Sequence, residues 1–510
     1  MTKISQKSFY NLSGGINIKS SRIAQIGKNN KICWDDSFNV EILKNQGVCT
    51  QKGNTLILEL EEEIEIIGLN QVKSMVSDFI YLTKNGDLYY FDSNLNTSCH
   101  LKTFENEPLG FVAVNFLDGV VLLTGNNYPV YIKNSEPDGV LELKIKKSES
   151  EYVFGDTVSV FASRVWISDG CTLYFSALGN VEDWESEQDA GYIGKFHSSS
   201  TEIVALAEYM GTLAVYKQDG VYLLSGSSPD DFSIKKFGNL GAVSAKCPLS
   251  ANNRQYFVNE AGIFALEQFG ELAQIALSGN ISAAVSEEFE FIDKANYKKI
   301  TTLLKPDKNQ IWFFLPRADF SGKGYFLIYD FENKAWLKRV VPFDISACAT
   351  INGKILTADK SGSIYMEDFG NTFSGKPLEF KFSTSFFDFG KPNVRKICDQ
   401  VHLIFDEEFE NSFDFYVCKD FKTSKISDTA RIDTVNEKTL IFLDENSGEA
   451  NNSCWADDLD GFYWAEPTEG ASRVEVFDSN YSVQLNFVSK KIGDGFGLVG
   501  IEFRDILEDL

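Results

Sequence analysis

The stretch SRVWISDGCTLYFS (163–176) holds two apolar runs, RVWIS and TLYFS, around a short Asp-Gly-Cys break. β-Branched and aromatic residues on both sides favour strands, and Asp-Gly favours a tight hairpin because both residues tolerate positive φ. The same strand, turn, strand pattern returns as FIYLTKNGDLYYF (79–91), GVVLLTGNNYPVYI (119–132), GTLAVYKQDGVYLLSG (211–226) and RQYFVNEAGIFALE (254–267). A longer version, QIWFFLPRADFSGKGYFLIYDF (310–331), and GKILTADKSGSIYMED (353–368) complete the series. Taking Gly86, Gly125, Gly170, Gly220, Gly262, Gly324 and Gly362 as the turn glycines, the hairpins recur every 38 to 62 residues.

A hairpin at that interval is the mark of a β-propeller, whose blades are four-stranded sheets of about this length stacked around an axis. The expected fold class is therefore all-β: a propeller of about seven blades, range six to eight, over residues 1–375. The acidic strand run Thr55–Ile67 is placed to supply an outer strand that closes the ring. A pair of β-sandwiches is the competing architecture, but sandwich hairpins do not hold such a period over seven units. The connector FGNTFSGKP (369–377) ends the rhythm. Beyond it KFSTSFFDFG, QVHLIFDE, SFDFYVCKD, SRVEVFDS and SVQLNFVSKK alternate with period two, so residues 376–510 read as a second all-β domain, sandwich or barrel.

Composition narrows the function. The 510 residues include 48 Lys plus Arg against 73 Asp plus Glu, a net charge of -25. That balance argues against wrapping nucleic acid and against docking on an anionic membrane. The nine cysteines are scattered without a CxxC pair and read as small buried residues in a reducing cytosol. The opening Met1–Asn11 is polar, without a secretory h-region, and no apolar run reaches membrane-span length.

Chemistry-bearing patterns are sparse, and no catalytic, cofactor or metal residue is assigned. His100, His197 and His402 stand apart, without HxH or HExxH spacing. No GxSxG elbow, P-loop or GxGxxG phrase occurs. Asp457, Asp458 and Asp460 lack EF-hand spacing and read as a solvated turn. Glu59, Glu61, Glu62, Glu63 and Glu65 read as an exposed edge strand guarded by charge. SDGCTLYF (168–175) loosely echoes the Asp-box of sialidase propellers, but Ser168, Asp169 and Gly170 suit a hairpin turn, and nine scattered arginines offer no cluster for a substrate carboxylate. Trp166, Trp184 and Trp312 could stack on sugars in a carbohydrate-active propeller, or pack blade cores. The longest polar insertions, 316–324 and 177–200, are candidate interface or gate loops.

Several phrases together resemble the tail hub, nozzle and tail-accessory (head-completion) propeller proteins of short-tailed bacteriophages. Gly14-Gly15-Ile16, Asn39, and the segment Gly47, Gln51, Lys52, Gly53 resemble their opening, though the arginine of its G-x-x-x-R-x-G phrase is absent. RVWISDGCTLYFSALGNVEDWE (164–185) is similar to their R-(L/V)-W … V-Y-F-S … P-x-D-W blade through Arg164, Trp166, Tyr174, Phe175, Ser176, Asp183 and Trp184. GTLAVYKQDGVYLLSG resembles the following blade, and FFDFGKPNVRKICDQVHLIF (386–405) the start of their C-terminal domain. The resemblance implies a non-enzymatic virion protein made in the host cytoplasm. It would form a homohexameric ring below a portal or adaptor, contact tail fibres or spikes, and let DNA through its lumen without specific binding, aiding genome retention and ejection. It implies no cofactor. A cytosolic propeller that binds peptides is the alternative, and a carbohydrate-active enzyme a more distant one.

Overall fold

The computed structural model describes residues 3–18, 31–72, 78–133, 136–194, 201–269, 274–320, 322–406, 408–420, 430–433, 441–442 and 471–509. Seven four-stranded antiparallel sheets follow one another along the chain. The first contains Ile66–Gln71, Phe79–Thr83, Asp87–Asp92 and Thr97–Thr103, and the second Val112–Phe116, Gly119–Leu123, Val130–Lys133 and Glu136–Glu142. Thr157–Phe161, Arg164–Asp169, Thr172–Phe175 and Gly191–Ile193 make the third; Ile203–Tyr209, Thr212–Lys217, Gly220–Ser225 and Ser233–Gly238 the fourth. The fifth is Leu249–Ala251, Arg254–Asn259, Gly262–Phe269 and Gln274–Leu277; the sixth Thr301–Lys305, Gln310–Phe314, Gly324–Asp330 and Ala335–Val341. Ile345–Ile351, Lys354–Asp359 and Ser363–Glu367 begin the seventh, and its outer strand is Asn54–Glu59, drawn from far upstream.

That borrowed strand closes the ring, as the run Thr55–Ile67 foreshadows. Its consequence shows in the core: Ala347, Ile351, Leu356, Ala358 and Ile364 of the last blade pack with Ile66, Leu69, Phe79, Tyr81 and Phe91 of the first, with Ile57 and Leu58 beside them. Ser346 Oγ also donates to Ile66 O at 2.6 Å. The fold is a seven-bladed β-propeller.

The seven recurring hairpins are the second and third strands of every blade. They read strongly because both faces are buried, so apolar residues need not alternate with polar ones. In the third blade Val165, Ile167 and Tyr174 pack with Val121, Leu123 and Tyr131 of the second. The alternate residues Trp166, Leu173 and Phe175 pack with Leu213, Val215 and Tyr222 of the fourth. Each such side chain contributes about 1.5–3 kcal/mol through burial. One counted glycine is different. Gly324 lies within a strand, and a Cβ there would meet Ile345 Cδ1 at 2.3 Å and Val341 Cγ2 at 2.6 Å. It permits close packing and turns nothing.

The chain divides into two compact units: Leu56–Phe326 with Val341–Glu367, and Met1–Thr55 with Leu327–Val340 and Asp368–Leu510. The boundary expected at 375/376 follows the chain, whereas compactness gathers the N-terminal segment with the C-terminal sheets. The reason is strand pairing. Lys3–Phe9 pairs with Gly497–Asp509, which also receives Val48–Thr50 and Arg395–Phe405. A second sheet orders Phe380–Ser383, Val483–Ser489, Ser412–Lys419 and Ala430–Asp433. Phe405 and Phe413 link the two sheets at 5.9 Å, and Phe382, Phe413, Phe487 and Phe496 cluster beside them. The C-terminal residues thus form further β-sheets after the propeller, joined by the N-terminal segment.

Asn39 and Arg339 bind the N-terminal segment within this unit. The Asn39 amide donates to Val340 O (2.8 Å) and Glu379 O (2.6 Å), and its Oδ1 accepts from Val340 N. The buried Arg339 guanidinium donates to Lys52 O and Gly53 O, each at 2.7 Å. An arginine thus occupies the Gln51–Gly53 turn although none lies in that phrase of the sequence.

Candidate functional site

In a four-stranded meander, the connector into the innermost strand and the turn between strands two and three emerge on one face. The turns between strands one and two, and three and four, emerge on the other. These two faces are the candidate functional surfaces of the propeller unit, and the side chains flagged by the sequence distribute between them and the core.

Trp166 and Trp312 are fully buried, with Nε1 donating to Phe161 O (3.0 Å) and Gln310 Oε1 (3.1 Å). Trp184 is half-buried and donates to Val181 O (2.7 Å). They lie in the third and sixth blades, so the three do not form one sugar-stacking wall. Ser168 is buried, and Asp169 pairs with Lys147 at 2.7 Å beside the turn at Gly170. His100 is exposed against Thr103 Oγ1 (3.0 Å) and Asp87 (3.5 Å). His197 and Asp457–Asp460 lie outside the described residues. Among the described residues no three His, Cys, Asp or Glu side chains gather as a metal-holding group.

The two long loops are anchored. Arg164 is buried in the third blade, donating to Ser176 O (3.0 Å) and to the main chain and carboxylate of Asp189, which holds the 177–194 segment. This hydrogen bonding depresses the Asp189 pKa. In the 316–324 loop, Arg317 binds Glu288 and both oxygens of Asp319 (2.8 and 2.6 Å), while Phe291, Phe320 and Tyr325 surround its guanidinium at 4.6–5.0 Å. Ala318 N and Asp293 N close a backbone clasp on Phe291 O and Pro316 O. Glu59–Glu65 departs from its expected form: the strand ends at Glu59, and Leu60–Glu65 is the irregular connector into the first blade. Its carboxylates guard a connector instead of a sheet edge, because the outer strand stops where it leaves Ser363–Glu367.

Sequence reading misses a feature of the opposite face. The turns between strands one and two place Leu117, Ala162, Met210, Asn252 and Asn352 at one equivalent position, all with φ between 47° and 52°. Asparagine suits that left-handed conformation; leucine and methionine do not. Leu117 is nevertheless 58% exposed and Met210 41%, and Leu178, 57% exposed, follows the third blade's turn on the same face. Only the backbone φ reveals the misfit.

No family model matches the chain, and no curated protein sequence matches it. Solved structures similar to it include a chain of a mitotic checkpoint complex crystal structure, at 10% identity and TM-score 0.40, covering 63% of this chain and 91% of that one. YCF48 from Cyanidioschyzon merolae is similar at 9% identity and TM-score 0.40, covering 62% and 98%. Likeness at this level reaches no further than the fold.

Proposed function

We propose that the chain is a structural subunit of a phage tail, a nozzle or hub protein that assembles six-fold below a portal or adaptor ring. The observation that supports this reading is where the phage-like phrases fall. Asn39 and Gln51–Gly53 hold the N-terminal segment to Arg339 and Val340, Arg164 and Trp166 lock the third blade, and Asp183 caps Glu185 and Ser186. The resemblance therefore coincides with the joints of the architecture, as expected of a protein whose work is mechanical. In such a ring the charge of -25 per copy would repel the DNA backbone within a Debye length of ~8 Å and ease its passage. Fibres or spikes would bind outside.

Native mass spectrometry and negative-stain imaging, on the chain alone and mixed with a portal or adaptor ring, test this. Six copies around a hole support it; a persistent monomer that ignores the ring overturns it. Exposed Leu117, Leu178 and Met210 favour the second reading, a monomeric propeller that binds a peptide on that face.

A further inference from the structure

The turns between strands one and two do not carry the same side chains around the ring. The fifth and seventh blades place Asn252 and Asn352 at the equivalent position, and the sixth turns through 306–309; none of these turns exposes a large apolar side chain. The second and fourth carry Leu117 and Met210 there, and the third carries Ala162 with Leu178 beside it, since Gly179 N donates to Ser163 O at 2.8 Å. These three blades adjoin, the second packing on the third and the third on the fourth. Single exposed apolar side chains are ordinary on a protein surface. Here they recur at corresponding turns of neighbouring blades. Leu117 and Met210 moreover persist in a left-handed conformation that disfavours them, and strain retained in this way is a mark of function. Gln268 Nε2 donates to Met210 Sδ at 2.6 Å, a weak bond that leaves the side chain exposed.

Charge divides along the same line. In the turns of the second to fourth blades, and at the strand ends that enter them, Glu185 pairs with Lys146 at 2.9 Å and Asp189 with Arg164 at 2.5 Å. The exposed carboxylates of Asp118, Glu182, Glu187, Glu208, Asp230 and Asp231 have no ion pair among the described residues, and Lys133 is the one exposed cation there in the same condition. Three of these acids stand beside the apolar side chains. Asp118 follows Leu117 and accepts from the Tyr131 hydroxyl at 2.8 Å, and the charge of Glu182 acts on that same hydroxyl. Glu208 Oε1 accepts from Gly211 N at 3.0 Å, next to Met210. In the fifth to seventh blades the corresponding turns mix both signs: Arg254 pairs with Glu267 at 2.6 Å, Lys305 with Asp307 at 2.9 Å, and Lys354 is exposed.

We propose that the turns of the second to fourth blades dock a short protein segment that carries lysine or arginine among leucine-class or aromatic side chains. Its apolar side chains cover Leu117, Leu178 and Met210, and removal of that surface from water supplies affinity. Its cations answer Asp118, Glu182 and Glu208, and complementary charge of this kind selects the partner and speeds encounter. The inference rests on the peptide-binding reading of this face and is independent of six-fold assembly.

Fluorescence anisotropy of the purified full chain tests this with three labelled peptides: a repeat of Leu-Lys-Lys-Leu, the same repeat with glutamate for lysine, and the same with serine for leucine. Saturable binding of the first alone is expected. Leu117→Asn should weaken it about tenfold, in a variant that folds because asparagine suits this backbone, as at Asn252. Asp118→Asn with Glu208→Gln should weaken it about threefold, and Lys354→Gln, outside these blades, should leave it unchanged. Equal binding of the serine peptide, or binding of the first that Leu117→Asn does not alter, reports general attraction to a chain of net charge -25 and overturns the proposal. Tighter binding of the glutamate peptide, lost in Leu117→Asn, keeps a peptide on this face and overturns its basic character. Absence of binding by all three overturns the proposal together with the reading it rests on.

Discussion

At the scale of single residues, the most informative conflict is between conformation and side chain at Leu117 and Met210. A left-handed φ costs an L residue roughly 1–2 kcal/mol, less for asparagine. The exposed Leu117 side chain offsets little of this, and Met210 Sδ only accepts from Gln268 Nε2 (2.6 Å), a thioether being a weak acceptor. Leu117→Asn and Met210→Asn should each therefore raise stability by about 0.5–1 kcal/mol, read as a higher urea midpoint. If that face binds a peptide, the same variants lose the partner while gaining stability. Asp78 shows the opposite economy. Burial alone would raise its carboxyl pKa, but hydrogen bonds from the Ser93 hydroxyl (2.7 Å), the Tyr90 hydroxyl and the Ser93 amide (2.9 Å) outweigh burial and lower it. A carboxyl lowered on folding contributes stability that is complete above the unfolded value, near ~4, and lost as pH falls through the folded one. Urea midpoints measured from neutral pH down into that acid range should fall more steeply for the parent than for Asp78→Asn.

At the scale of elements, the decisive strand is Asn54–Glu59, which completes the seventh blade. Removing residues 1–59 should leave Ser363–Glu367 as an unpaired edge and expose Ile66, Leu356 and Ile364 of the closing core. The expected readings are dye binding to apolar surface and concentration-dependent aggregation; a monomeric truncation that unfolds as cooperatively as the parent would contradict them. This element also marks how much the sequence discloses. The middle hairpins are legible because two-sided burial makes their apolar runs continuous, as in Val165–Ile167. The innermost strand Leu249–Ala251 is short and the outer strand Ser233–Gly238 is polar, so neither stands out. Gly324 looked like a turn because a glycine's reason, turn or close approach, depends on neighbours distant in sequence. The same limit hid the grouping of Lys3–Phe9 with Gly497–Asp509.

At the scale of the whole molecule, acidity is the dominant property. With a sequence pI near 4.6, the chain should be least soluble near that pH and recover above it, a profile that turbidity against pH records. Six-fold assembly would multiply the charge carried at neutral pH, so ring formation should strengthen with added salt as repulsion between copies is screened. Light scattering across a salt series measures this.

Closure of the propeller by Asn54–Glu59 also fixes an order in time. A ribosome delivers this strand about 300 residues before its partner Ser363–Glu367, which at ~5–20 residues per second is a wait of about 15–60 s. Throughout that interval the nascent chain holds a finished strand with nothing to clasp, and six blades accumulate as an open arc. Translation that halts anywhere in this window yields a polypeptide with a clasp but no catch, which makes the closing strand a checkpoint on completeness as well as a piece of the wall.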